Sequence, residues 1–214
     1  MKYIIEHSCN TKEVGYVSWG QAELTDPYNA DELLDEDKTV KTISVRMHKR
    51  AKLTDMLSCF KLGTSKNFII SERMRIILEK FKIQPHLFVD CNIEKPNGEI
   101  LKYSVLHFQG NQFSEMVDFN NSTFRITYTL SFPLKGNEPI IEVNSYFDFI
   151  QKEKELDSQG LLIRLDKYVI NDECQGKYDV YTFFPFYSGI FISKELRDAI
   201  LDNKLTGIEI IEID

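Results

Sequence analysis

The 214-residue chain lacks the sequence patterns that most often identify an enzyme or a metal site. Its ten glycines include no Gly-x-Gly, so no glycine-rich phosphate loop is predicted. The four histidines, His7, His48, His86 and His107, have no His or carboxylate partner at metal-ligand spacing. A Gly-x-Ser-x-Gly motif is also missing. We therefore predict no catalytic residue, no cofactor and no metal, although carboxylates from distant segments could still meet in a cleft.

Long apolar runs and closely paired cysteines are missing as well. No stretch approaches the roughly 18 apolar residues of a membrane-spanning helix, and the apolar run at residues 3–5 is too short for a signal peptide. Cys9, Cys59, Cys91 and Cys174 lie far apart without a Cys-x-x-Cys pair. This spacing favours buried, reduced thiols over disulfides or zinc ligands. Together these features predict a cytoplasmic protein that does not bind membranes.

The charge distribution offers a candidate binding segment. The net charge of −7 argues against general nucleic-acid binding, for which a basic surface is needed. Residues 23–37 hold seven acidic residues and no basic one, whereas residues 38–52 hold six basic residues and no acidic one. Either the two runs neutralise each other in the fold, or the acidic run steers a basic partner toward the protein. The second hypothesis names a partner-binding set: Asp31, Glu32, Asp35, Glu36 and Asp37.

Two segments share a pattern in which a short apolar run ends in Ile-Ser and an amphipathic helix follows. Ser71 and Ser193 are suited to cap these helices, because a serine hydroxyl accepts from the free N–H groups of a first helical turn. The first helix is expected to end before Pro85, and the second near Gly207, ahead of a final strand that begins at Ile208. The two copies are either convergent or relics of an internal repeat.

Alternating apolar and polar residues predict strands at residues 2–6, 86–93, 99–108, 124–132, 139–143, 161–170 and 178–184. Asn97-Gly98 is expected to form a type I′ hairpin turn between the second and third of these. A helix capped by Ser145 should run from Tyr146 to Ser158 and end at Gly160. Strands and helices do not alternate regularly. We therefore predict an α+β fold with mostly antiparallel sheet in one domain, residues 1–214, with a weaker alternative boundary at residues 63–67 that would separate residues 1–62 from 67–214.

The two Ile-Ser segments also carry a family resemblance. Residues 69–74 and 192–196, together with Leu205-Thr206-Gly207 and the alternating residues 208–210, resemble the immunity proteins of bacterial polymorphic-toxin systems over about residues 53–214. This resemblance implies a non-catalytic protein that binds and neutralises a cognate toxin, and the acidic run favours a basic toxin. It implies no catalytic residues, and the first fifty residues match no pattern of the family.

Two alternatives stay open at this point. The first is an enzyme of unknown class whose site is assembled from scattered carboxylates and histidines; a deep polar pocket would favour it. The second is a structural or regulatory module that forms a homodimer through an exposed sheet edge. The sequence does not determine the oligomeric state.

Overall fold

A computed structural model of the chain describes residues 2–15, 20–25, 42–59, 62, 67–109, 113–127, 138–171, 174, 176–183 and 189–213. Two compact units can be separated. Unit 1 comprises residues 1–110, 178–182 and 188–214, and unit 2 comprises residues 111–177 and 183–187. The single domain and the alternative boundary at residues 63–67 stay predictions.

Helices and strands follow one another irregularly, and most paired strands are antiparallel, so the α+β prediction is confirmed. The strands are β1 Lys2–His7, β2 Ala22–Leu24, β3 Thr42–Met47, β4 Met56–Leu57, β5 Asn67–Ile70, β6 His86–Glu94, β7 Ile100–Phe108, β8 Thr123–Thr127, β9 Ile140–Ile141, β10 Leu162–Lys167, β11 Val180–Tyr181, β12 Ile190–Ile192 and β13 Ile208–Ile213. The helices are α1 Thr11–Val14, α2 Glu72–Leu78, α3 Phe113–Met116, α4 Tyr146–Asp157 and α5 Lys194–Asp202.

Unit 1 contains a six-stranded sheet in the order β2-β3-β6-β7-β5-β4, in which only β3 and β6 are parallel. Its two edges meet, because the Ser58 carbonyl oxygen accepts from the N–H groups of Gln21 (2.9 Å) and Ala22 (3.0 Å). The sheet therefore closes into a small barrel. Its inward face is a core of aliphatic, Met and Cys side chains: Ala22, Leu24, Ile43, Val45, Met47, Leu57, Cys59, Leu62, Ile69, Val89, Cys91, Ile93 and Val105.

The β6–β7 hairpin forms where it was predicted, but with a different turn. Gly98 N–H donates to the Lys95 carbonyl (2.9 Å), and Lys95 N–H donates to the Glu99 carbonyl (2.8 Å). Gly98 has φ 83°, whereas Asn97 is not among the residues with positive φ. A type I′ turn needs positive φ at both central residues, so that prediction was wrong. Pro96 has φ fixed near −65° and favours a type I turn, which Gly98 completes as a bulge.

A second sheet of unit 1, in the order β11-β12-β1-β13, is antiparallel throughout. Ser71 Oγ accepts from Met74 N–H (3.2 Å), and Ser193 Oγ accepts from Leu196 N–H (3.3 Å), which confirms both predicted caps. Helices α2 and α5 contribute Met74, Ile77, Leu78, Leu196 and Ile200 to one core with both sheets. The apolar spacing predicted from the sequence is what buries these side chains.

Unit 2 contains a three-stranded antiparallel sheet, β10-β8-β9, and helix α4. Ser145 caps α4 by accepting from Asp148 N–H (3.1 Å), as predicted. Phe124 of β8 and Phe149 of α4 are each 1% exposed, and the centroids of their rings are 6.4 Å apart. The predicted alternation of β8 holds at Phe124. It fails at Thr127, because this polar residue of the alternating pattern is buried, at 3% exposed.

All four cysteines are free thiols. Cys59 and Cys91 are buried, as expected, but Cys9 is exposed and Cys174 is intermediate. Burial raises the pKa of Cys91 to about 12, so this thiol stays protonated and unreactive. Among the described helices, none is long and apolar enough to span a membrane.

Candidate partner-binding surface

The predicted partner-binding residues Asp31, Glu32, Asp35, Glu36 and Asp37 lie outside the described residues. The strands that flank them are well placed, because β2 and β3 pair in register from Ala22↔Met47 to Leu24↔Val45. Thr25 continues this pairing through bonds from its N–H (3.0 Å) and Oγ1 (2.8 Å) to the Ser44 carbonyl. In sequence, the acidic segment falls between β2 and β3, and these two strands pair at one end of the six-stranded sheet.

The outer face of strands β2, β3, β6 and β7 is polar. The strand register places Glu23 opposite Arg46, Arg46 opposite Glu94, and Asn92 opposite Lys102. Arg46 Nε and Nη2 each donate to Glu94 Oε2 at 3.1 Å, and Lys102 Nζ donates to Asn92 Oδ1 at 2.6 Å. Both carboxylate and ammonium groups are thus exposed in cross-strand pairs on this face, in contrast to the apolar inward face.

The basic run at residues 38–52 is partly used in contacts within unit 1. Arg46 pairs with Glu94, and Lys52 Nζ donates to the Lys12 carbonyl at 2.8 Å. Whether the run also neutralises the acidic segment stays a prediction, because that segment lies outside the described residues.

Asp55, which the sequence patterns did not single out, connects two of the segments that carry the family resemblance: the Ile-Ser helix start at Ser71 and the Leu-Thr-Gly segment at Thr206. Its side chain is 9% exposed and accepts from Ser71 Oγ (2.7 Å), Thr206 N–H (2.9 Å) and Thr206 Oγ1 (3.0 Å). Its backbone carbonyl accepts from Ser71 N–H at 2.7 Å. Both the Ile-Ser helix start and the Leu-Thr-Gly segment are therefore held by one carboxylate.

Asp179 repeats this arrangement for the other helix. Its carbonyl accepts from Ser193 N–H (2.9 Å), and its carboxylate accepts from Lys82 N–H (2.9 Å), just after α2. Each aspartate precedes a two-residue strand, β4 or β11, that pairs with the strand leading into a capped helix. Each carboxylate then binds the backbone that follows the other capped helix. The two Ile-Ser helix starts therefore have equivalent surroundings, and each aspartate connects its own helix start to the end of the other helix. An Asp followed by two apolar residues, sixteen residues before Ser71, is the sequence signal that could have revealed this.

The described ionisable groups whose pKa values are shifted do not come together in one candidate active site. Burial lowers the pKa of His7 to about 4, against an opposing hydrogen bond to the Leu57 backbone, and the buried Nε2 atom of this ring has no hydrogen-bond partner among the described residues. Burial raises the pKa of Tyr103 to about 12, and Asp55 adds to that effect. Burial and Glu209 raise the pKa of Glu6, and burial and Asp157 raise that of Glu153 in the other unit. No group of three or more His, Cys, Asp or Glu side chains in the described ranges is arranged to hold a metal ion.

The sequence comparison identifies the family. Residues 34–214 match the immunity protein family Imm11, and the chain therefore belongs to that family. No curated protein matches the chain. The match begins earlier than the resemblance at about residue 53 suggested, and it includes Asp35, Glu36 and Asp37 of the acidic segment. The prediction that nothing in the first fifty residues fits the family was wrong in this respect. The basic run, β3 and the end of the acidic run are part of the family region.

Proposed function

We propose that the protein is the immunity partner of a bacterial toxin, which it binds in the cytoplasm and neutralises stoichiometrically without catalysis. The observation that carries this proposal is the family match over residues 34–214. The scattered positions of the shifted ionisable groups agree with an inhibitor that acts by contact. Tight inhibition needs a few desolvated contacts at the interface centre and complementary charge around them.

Within this function, the acidic segment has the role of steering the toxin. Asp31, Glu32, Asp35, Glu36 and Asp37 belong to the chain segment that connects β2 to β3 in sequence, and the outer face of these two strands is polar. A run of like charges on such a connection attracts a basic partner over about a Debye length, which is about 8 Å at physiological ionic strength. The toxin surface that meets this segment should therefore be basic.

Co-expression tests the function. The toxin domain encoded beside this gene should arrest growth when expressed alone, and the full-length immunity protein should restore growth and co-purify with it in a fixed ratio. A related toxin from a different system should not be neutralised. Restored growth without any complex would point to an enzymatic mode of protection instead.

Association kinetics test the steering role. Reversing Glu36 and Asp37 to Lys should slow association with the inactivated toxin domain about tenfold at low salt, with a smaller effect at high salt. Reversing Glu155 and Asp157 of α4, which are both exposed, gives the same change in net charge and serves as the control. Equal effects of the two double variants would contradict a specific role for the acidic segment.

A further inference from the structure

The two edge strands of the four-stranded sheet of unit 1, β11 and β13, differ in whether neighbouring backbone covers their outer side. Edge strand β11 is short, and the backbone beside it is occupied: Gln84 N–H donates to the Val180 carbonyl (2.8 Å), and Ile83 forms a bridge with Val180. Edge strand β13 is six residues long and pairs with β1 along its whole length. No strand within the described ranges pairs with its other side.

The outward backbone groups of β13 can be assigned from the ladder. Ser8 N–H donates to the Gly207 carbonyl at 3.0 Å. In an antiparallel pair, the residues directed toward the partner strand alternate. Counting from that bond, Glu209, Ile211 and Ile213 direct their N–H and C=O groups to β1. The groups directed away from the sheet belong to Ile208, Ile210 and Glu212.

The side chains of β13 suggest which strand would fit this edge. Glu209 and Glu212 are exposed, and Glu209 lies directly opposite Glu6 of β1. Like charges directly opposite each other are unfavourable. Neither Glu6 nor Glu209 forms an ion pair with a cation in the part of the chain that the structure describes. A neighbouring strand that carries Lys or Arg would supply the missing positive charge.

We propose that β13 is a docking edge, to which the toxin adds an extended basic segment as a fifth strand of this sheet. The proposal rests on the immunity function above and names the contact surface for it. Main-chain hydrogen bonds from Ile208, Ile210 and Glu212 supply binding, and Glu6 and Glu209 select a basic segment. Charged residues on an exposed edge also discourage pairing with uncharged strands.

A proline at position 212 tests the backbone contribution. Glu212→Pro removes an outward N–H, and proline is tolerated on the solvent side of an edge strand, so pairing with β1 should persist. Glu212→Ala is the matched control, because it also loses the carboxylate but keeps the N–H. With the full-length protein and the inactivated toxin domain of the neighbouring gene, Glu212→Pro should bind about tenfold more weakly than Glu212→Ala.

The charge contribution is tested with Glu209→Lys, which should weaken binding to the same toxin domain, whereas Glu155→Lys on α4 should not. Backbone hydrogen exchange of the wild-type protein gives a readout that does not depend on a variant folding. The amides of Ile208, Ile210 and Glu212 should become protected in the complex.

Each outcome separates the proposals. Wild-type binding that is unchanged in Glu212→Pro and Glu209→Lys, without new protection in β13, would overturn the docking edge and leave the immunity function intact. A wild-type protein that neither binds nor neutralises the toxin would overturn the function itself, and the docking edge with it. A free wild-type dimer that Glu212→Pro converts to monomer would show that the edge binds a second copy of this chain, which also overturns toxin docking.

Discussion

At the scale of single residues, close contacts place strict demands on a few side chains. Gly207 has φ 78°, and a Cβ atom there would collide with the Met56 carbonyl oxygen and with Thr54. Its N–H also donates to Glu13 Oε1 at 2.7 Å. The glycine of the Leu-Thr-Gly segment is thus required by both backbone conformation and packing. Its role in the structure is to let the chain pass close to β4.

Gly207→Ala should lower the free energy of unfolding by about 2 kcal/mol or more, because the alanine must adopt a left-handed conformation and displace Met56 or Thr54. Urea unfolding followed by circular dichroism measures this. Gly98→Ala is the control, because that glycine has a similar φ of 83° but nothing within 4 Å of an added Cβ atom. Equal losses in both variants would show that backbone conformation alone is responsible.

His7 should make stability depend on pH. Its pKa is about 4 in the folded protein, because burial disfavours the charged ring, and 6.5 is the ordinary value. The unfolded chain therefore binds a proton first as pH falls. Stability should be unaffected by His7 above about pH 6.5 and should drop by about 3 kcal/mol by pH 4.

The difference between wild type and His7→Phe isolates this effect, since phenylalanine keeps an aromatic ring stacked on Phe68. The two curves of unfolding free energy against pH should run parallel above pH 6.5 and diverge below it. Glu6, whose pKa is raised, contributes to both curves and cancels in the comparison. Curves that stay parallel down to pH 4 would contradict a neutral buried His7.

At the scale of elements, two reciprocal aspartates hold the helices. The Asp55 carboxylate satisfies three polar groups, and Asp179 satisfies the N–H of Lys82 after α2. Leaving a buried donor without its acceptor lowers the free energy of unfolding by about 1–3 kcal/mol, whereas an exposed donor can form a hydrogen bond to water instead. The two geometrically equivalent residues therefore differ in energetic weight.

Asp55→Ala should reduce the free energy of unfolding by about 3 kcal/mol, because it leaves the Thr206 N–H and the Ser71 hydroxyl without their acceptor. Asp179→Ala should cost about 1 kcal/mol. Chemical denaturation of the two variants provides the comparison. A larger loss for Asp179 than for Asp55 would reverse this assignment of the two sites.

At the scale of the whole chain, closure of the six-stranded sheet depends on Gln21. This residue is 1% exposed, and its amide donates to the Lys52 carbonyl (2.7 Å) and Thr54 Oγ1 (2.9 Å) and accepts from Ser58 N–H (3.1 Å). Closing the sheet removes two free edges, which would otherwise invite pairing with other chains. Among the described strands of unit 1, β13 keeps an unpaired side, and this is the edge that we propose as the docking site for the toxin.

Gln21→Leu should destabilise the protein by about 3 kcal/mol, because the leucine fills the space but leaves buried donors and acceptors unpaired. It should also increase aggregation through the opened β2 edge. Thermal unfolding and light scattering measure the two effects. Glu23→Leu on the exposed face of the same strand is the control, and an equal rise in aggregation there would attribute the effect to added surface hydrophobicity.

Much of the local structure was predictable from the sequence because its causes are local. Serine caps, apolar spacing along α2 and α5, and the strands on either side of Pro96–Gly98 depend on neighbours within a few residues. The turn type was missed because Pro96, with φ fixed near −65°, takes the first central position of a type I turn, so that Asn97 becomes the second central residue and Gly98 follows the turn. Thr127 was misplaced because its burial depends on what packs over the sheet, which alternation alone does not show.

The sequence by itself determined the class of fold, the helix caps and the resemblance to immunity proteins, because propensity, capping and turn chemistry act over short separations. Only the tertiary structure decided that Asp55 and Thr206, 151 residues apart, hold the Ile-Ser helix start at Ser71 and the Leu-Thr-Gly segment together, that Gln21 closes a barrel, and that β13 is an edge with outward backbone groups. Those properties depend on which distant strands pair, and strand pairing is selected by burial of the whole core.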